Sequence, residues 1–135
     1  MPGLDHVAIL VSDLDAAIEL YRDVYGLPLA EVEEVPSEKV KVAIFGHGAW
    51  RIELVAPASP DSPMHKALEK RGEGLHHVCV EVPDIEQAMA ALKAKGAPLL
   101  DETPRPGAGG AKVAFVHPKG GRGVLVELRQ GPKTP

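Results

Sequence analysis

Four residues in this chain have side chains out of keeping with their surroundings. His6 in "LDHVAILV", Glu53 in "WRIELVAP", His77 in "LHHVCVEV" and Glu127 in "GVLVELRQ" each interrupt an apolar run. An ionised carboxylate is costly to bury unless it is paired or bound to a cation, so a glutamate between Ile52 and Leu54 calls for a partner. Imidazole and carboxylate together ligate borderline or fairly hard divalent ions: cobalt, manganese, nickel, zinc or ferrous iron. That donor set does not choose among them. A lone strand histidine is ordinarily a hydrogen-bonded core or edge residue, and a lone strand glutamate ordinarily meets solvent or a lysine. Their positions argue for more.

The chain repeats itself, which is the first thing to look for in a sequence. "LDHVAILVSDLDAAIELY" at residues 4–21 aligns without a gap against "LHHVCVEVPDIEQAMAAL" at 75–92, an offset of 71 (75 − 4). "KVAIF" at 41–45 matches "KVAFV" at 112–116 with the same offset, and "IELVAP" matches "VELRQGP" at an offset of 74 (126 − 52). His6 then falls on His77 (77 − 6 = 71) and Glu53 on Glu127 (127 − 53 = 74). Two symmetric halves would bring two histidines and two glutamates to one metal centre.

The elements that must position these residues are readable. His6, Ala8 and Leu10 alternate with Val7, Ile9 and Val11 in a first strand rich in β-branched residues. Ser12 with Asp15 three residues later resembles a capping box, Ala16, Ala17, Leu20 and Tyr21 mark an apolar helical face, and Gly26 ends the helix. In the second copy Pro83 stands at the start of the helix and Gly96 at its end. Strands are expected at 27–33, 39–46 and 49–56, then at 97–102, 111–117 and 123–130. "PASPDSPMHKALEKRGEG" reads as a linker with a short helix capped by Ser62 ahead of Pro63, and "PRPGAGGAK" as a loop. The expected fold is α+β: one domain spanning residues 1–135, made of tandem βαβββ modules at about 3–56 and 74–131 joined by a linker at 57–73. The modules would form a curled mixed sheet around a metal-containing cleft.

Bulk properties narrow the partners. A 135-residue chain suits one domain. With 44% hydrophobic and 25% charged residues and a net charge of −4, it reads as a soluble globular protein and not as a binder of nucleic-acid backbone. Neither a charged-then-apolar leader nor a run of about 20 apolar residues is present, so no membrane association is expected. Cys79 is the one cysteine and excludes an internal disulfide, which fits a cytoplasmic location. It shares the face of His77 and corresponds to Ala8, as a small packing residue would. His76 points away from His77, His47 and His65 read as surface residues, and His117 in "HPKGGRG" would either cap a turn or touch substrate. Arg105, Lys112, Lys119 and Arg122 are loop cations that could meet an acyl or phosphate group alongside the glycines of "PGAGGAK".

Paired βαβββ units with ligands in the first and last strands resemble the vicinal oxygen chelate superfamily. "LDHVAILVSDLDAAIELYRDVYGL", "RGEGLHH", "PGAGGAKVAF", "HPK" and "GVLVEL" resemble its methylmalonyl-CoA epimerases in particular, and the likeness runs over nearly the whole chain. It implies interconversion of (R)- and (S)-methylmalonyl-CoA, between propionate-type carboxylation and a cobalamin-dependent mutase, by α-proton abstraction with a metal-stabilised enolate. It also implies a homodimer and a divalent ion, cobalt before manganese, nickel or zinc. The family's ligands are a histidine of the first strand, a glutamine of the fourth, a histidine of the fifth and a glutamate of the last, which map onto His6, Glu53, His77 and Glu127. The last-strand glutamate is a proton-transfer base, which makes Glu127 the first catalytic candidate.

Two departures stand out. Glutamate replaces glutamine at position 53, giving a two-histidine, two-glutamate set also typical of glyoxalase I. Certain members carry their second base in the third strand, where this chain has Val42 beside Lys41, so Glu53 or a water must serve the opposite face. Competing expectations are a glyoxalase I-type lactoylglutathione lyase and a non-catalytic binding protein of the antibiotic-resistance type. An extradiol dioxygenase would use three protein ligands, and the fourth carboxylate speaks against it.

Overall fold

The computed structural model of the chain describes residues 2–46 and 50–132. The fold is α+β, with two runs of the same elements. The first is β1 (Gly3–Leu10), α1 (Leu14–Glu19), β2 (Leu29–Val35), β3 (Val40–Phe45) and β4 (Ile52–Pro57). Helix α2 (Met64–Arg71) follows, and then β5 (Gly74–Glu81), α3 (Ile85–Ala94), β6 (Arg105–Pro106), β7 (Lys112–Val116) and β8 (Leu125–Gln130). Residues 6–76 form one compact unit, and residues from 77 onward, with those up to Asp5, form another. No helix among the described residues is long and apolar enough to cross a membrane.

Each unit orders its strands in the same way, β2-β3-β4-β1 in one and β5-β8-β7-β6 in the other. The first strand of each runs parallel to the last, and the other pairs are antiparallel. A strand has two faces, and each unit uses them differently. In the first unit Leu54, Ala56, Ala43, Phe45 and Val11 pack under Ala17 and Ile18 of α1. In the second, Leu128, Ala114 and Val82 pack under Ile85 and Met89 of α3. Residues of opposite parity, including all four His and Glu candidates, face away from the helix.

The helix starts differ from expectation. Asp13, not Ser12, caps α1 by accepting the Ala16 N–H at 3.1 Å, and Asp84, not Pro83, opens α3 by accepting the Gln87 N–H at 3.0 Å. Ser12 instead donates both its N–H and its hydroxyl to Glu73. In the linker Ser62 Oγ accepts the Met64 N–H at 3.3 Å, but Pro63 stands at the cap position of α2 and not at its first residue. Helix α1 runs on into a π-helical turn, Leu20–Val24.

The largest departure is the strand expected at 97–102. Only an isolated bridge, Leu99 with Val116, forms there, and the regular pairing comes later, at Arg105–Pro106, inside the segment expected to be a loop. Pro98 and Pro104 have no N–H to offer a ladder. In addition, the Asp101 carboxylate takes the Phe115 N–H at 2.8 Å, where a neighbouring strand's carbonyl would otherwise sit.

Candidate functional site

The four candidate ligands are buried and fall into two pairs, one in each unit. In the first, Ala8 is the register partner of Glu53, and His6 stands two residues earlier on the same face. His6 Nδ1 lies 3.1 Å from Glu53 Oε2. In the second, Cys79 is the register partner of Glu127, and His77 stands two residues before it. His77 Nε2 lies 2.9 Å from Glu127 Oε1. The offsets read from the sequence are thus reproduced in the pairing: Ile44 faces Glu53 across β3 and β4 as Phe115 faces Glu127 across β7 and β8.

Exposures of 4% for His6, 7% for Glu53, 6% for His77 and 7% for Glu127 exclude a solvated-surface explanation for any of them. Apolar neighbours line both pairs. Ala8, Leu10, Val42 and Val55 share the Glu53 face and are buried. Beside Glu127 stand Val113, Phe115 and the fully buried Cys79. The Phe115 ring meets His77 edge-on, with centroids 5.7 Å apart. A buried carboxylate against an imidazole is the donor chemistry of a divalent ion, so the residues in each unit fit metal ligation.

The remaining sequence candidates are placed as follows. His76 is buried on the opposite side of β5 from His77. His65 is exposed on α2, its Nε2 3.1 Å from the Ser59 carbonyl, while His47 lies outside the described residues. His117 caps the short 3-10 turn Pro118–Gly121, its Nδ1 accepting the Lys119 N–H at 3.0 Å. Lys119 and Arg122 are exposed on that turn, Arg122 with a left-handed φ of 57°. Lys112 is exposed on the α3 side of β7, 3.4 Å from Glu86. Gly107 is required by packing, because a Cβ there would sit 2.6 Å from Val113. Gly109 is required by its φ of 70°.

Three further residues near the pairs are less conspicuous in the sequence. Phe115 was marked by the alternation of "KVAFV", which puts it on the Glu127 face, but an aromatic strand residue drew no notice. Nothing marked Asp101. Glu33, directly opposite Val42 in the β2–β3 pairing, shares the Glu53 face and needed the register to be found.

Comparison with known proteins finds relatives over nearly the whole chain. Residues 5–115 match the Glyoxalase/Bleomycin resistance protein/Dioxygenase superfamily. The mitochondrial methylmalonyl-CoA epimerase of Mus musculus is 43% identical over 128 residues, covering 94% of this chain and 72% of that protein. An ethylmalonyl-CoA/methylmalonyl-CoA epimerase of Cereibacter sphaeroides is 42% identical over 129 residues, covering 94% of this chain and 96% of that protein. A variant methylmalonyl-CoA epimerase of Streptomyces coelicolor, solved in complex with 2-nitronate-propionyl-CoA, superposes with a TM-score of 0.90. It is 34% identical, over 96% of this chain and 97% of that one.

Proposed function

From the premise that the chain belongs to the Glyoxalase/Bleomycin resistance protein/Dioxygenase superfamily, and within it to the methylmalonyl-CoA epimerases, we propose that this enzyme interconverts (R)- and (S)-methylmalonyl-CoA. The observation that carries the reading is the same buried His–Glu pair at the same register position in both units.

The proton to be moved lies on a carbon between a carboxylate and a thioester carbonyl. Glu127 takes it, and Glu53, its counterpart by the repeat, returns one to the opposite face. A general base placed this way is worth about 10²- to 10⁴-fold in rate. Phe115 and Cys79 beside Glu127, and Ala8 and Val55 beside Glu53, exclude water that would compete for the proton. His6, Glu53, His77 and Glu127 are the residues that would hold a divalent ion. When bound, that ion supplies Lewis-acid stabilisation of the negative charge that develops on the thioester oxygen.

The finer reading is cobalt before manganese, nickel or zinc, a cytoplasmic homodimer, and a place between propionate-type carboxylation and a mutase. For coenzyme A, His117, Lys119 and Arg122 gather on one turn after β7. Lys112, on the α3 side and beside Glu86, is the least suited of the four.

The test is deuterium uptake at the α-carbon of methylmalonyl-CoA, followed by NMR in heavy water with and without a chelator. Metal-dependent exchange is expected, and its absence overturns the proposal. Isomerisation of a glutathione hemithioacetal in its place would assign the chain to the glyoxalase I reaction, which the two-histidine, two-glutamate set also permits.

A further inference from the structure

One cation on the Glu127 face is held in place without being consumed by the fold. Arg105 forms the two-residue edge strand β6 and pairs with Val113. Val113 corresponds to Val42 by the repeat offset of 71 (113 − 42), and Val42 pairs with Glu33 in the other unit. The same topological slot therefore holds an acid in one half and a guanidinium in the other. That guanidinium lies 5.0 Å above the Phe115 ring, whose edge in turn meets His77. Asp101 ties the group together, binding the Phe115 N–H through Oδ2 and standing 3.3 Å from Arg105 Nε through Oδ1.

The ion contact fixes the cation without satisfying it. Arg105 Nε is a buried donor with no hydrogen-bond partner among the described residues, while the side chain as a whole is 39% exposed. The other arginine of this face is different, since Arg129 has Glu81 at 2.9 Å and Asp5 at 3.8 Å. A planar guanidinium seated on an aromatic ring presents its remaining N–H edge to a planar anion, and a carboxylate matches that fork with two parallel hydrogen bonds.

We propose that Arg105, held over Phe115 and one ring away from His77, binds the free carboxylate of the acyl group and so selects dicarboxylic acyl thioesters. This rests on the acyl-CoA epimerase reading. A coenzyme A phosphate offers related chemistry. It is separated from the reacting carbon by the whole pantetheine arm, whereas Arg105 is one aromatic ring removed from the His77–Glu127 pair.

The experiment titrates the full chain, at equal metal content, with malonyl-CoA and with propionyl-CoA, which differ by that carboxylate. Arg105→Gln should weaken malonyl-CoA binding by about 10- to 100-fold, the range of a lost charge-assisted hydrogen bond, and leave propionyl-CoA within about 2-fold. Arg105→Lys keeps the charge but not the fork and should show the same ligand-selective loss at smaller size. It also supplies the answer if the glutamine variant does not fold. Equal weakening of both ligands would place the contact on a phosphate and overturn the proposal, as would no weakening of either. Exchange of the α-proton of methylmalonyl-CoA by the unaltered chain, measured alongside, reports separately on the epimerase reading.

Discussion

His77 and Glu127 sit 2.9 Å apart on neighbouring strands, both buried, with His77 two residues before the register partner of Glu127. His6 and Glu53 repeat this relationship at 3.1 Å. If the glutamates transfer the proton, Glu127→Gln and Glu53→Gln should each lower epimerisation by at least about 10²-fold, since an amide keeps a hydrogen bond to its histidine but cannot accept the proton. Glu53→Gln should retain metal by elemental analysis after dialysis. Unchanged turnover in Glu53→Gln would remove it from the role of second base.

Asp101 joins Phe115 to Arg105, and its loss should be felt in the fold before any chemistry is assayed. Asp101→Ala leaves the Phe115 N–H without its acceptor. An unsatisfied buried donor costs about 1–3 kcal/mol, so urea titration should give an unfolding free energy lowered by that amount, seen as a lower midpoint at unchanged slope.

Arg122 holds a left-handed φ of 57° at the end of the turn after His117. Glycine adopts that conformation without penalty, so Arg122→Gly should raise stability by about 0.5–1 kcal/mol, read from thermal unfolding. If Arg122 also contacts coenzyme A, the same variant should raise KM for methylmalonyl-CoA while leaving kcat within a few-fold.

Lys39 and Ser59 both donate to the Asp61 carboxylate, which pulls its pKa down from 3.8 to about 2. A lowered folded-state value means that the interaction is fully present above the ordinary carboxylate range and is lost as pH falls towards 2. Carbon-detected NMR titration should find Asp61 among the last carboxylates to protonate, and Lys39→Ala should return it towards 3.8. Because the pair is exposed, its effect on overall stability is small.

The two His–Glu pairs were legible because the repeat made each exception occur twice, and the face of each residue followed from strand alternation. The helix caps were read one residue early, since Ser12 and Pro83 are as plausible beside the start as Asp13 and Asp84. Strand β6 was misplaced for a more instructive reason. A side-chain carboxylate, Asp101, does the work of a strand backbone beside Phe115, and no period in the sequence encodes that substitution. Arg105 was visible as a loop cation, but its seat over Phe115 depends on the pairing with Val113.

The division of each strand into a helix side and a His–Glu side sets which changes of length the gene can tolerate. Deleting one residue within Leu125–Gln130 would turn Glu127 towards Ile85 and Met89 and bring an apolar neighbour to His77, so a single lost codon would exchange the two surfaces of β8. The turn at Pro118–Val124 lies outside the β7–β8 ladder, and there length can vary without inverting that order. Natural insertions and deletions in this family should therefore collect in such turns and avoid the interiors of β1, β4, β5 and β8.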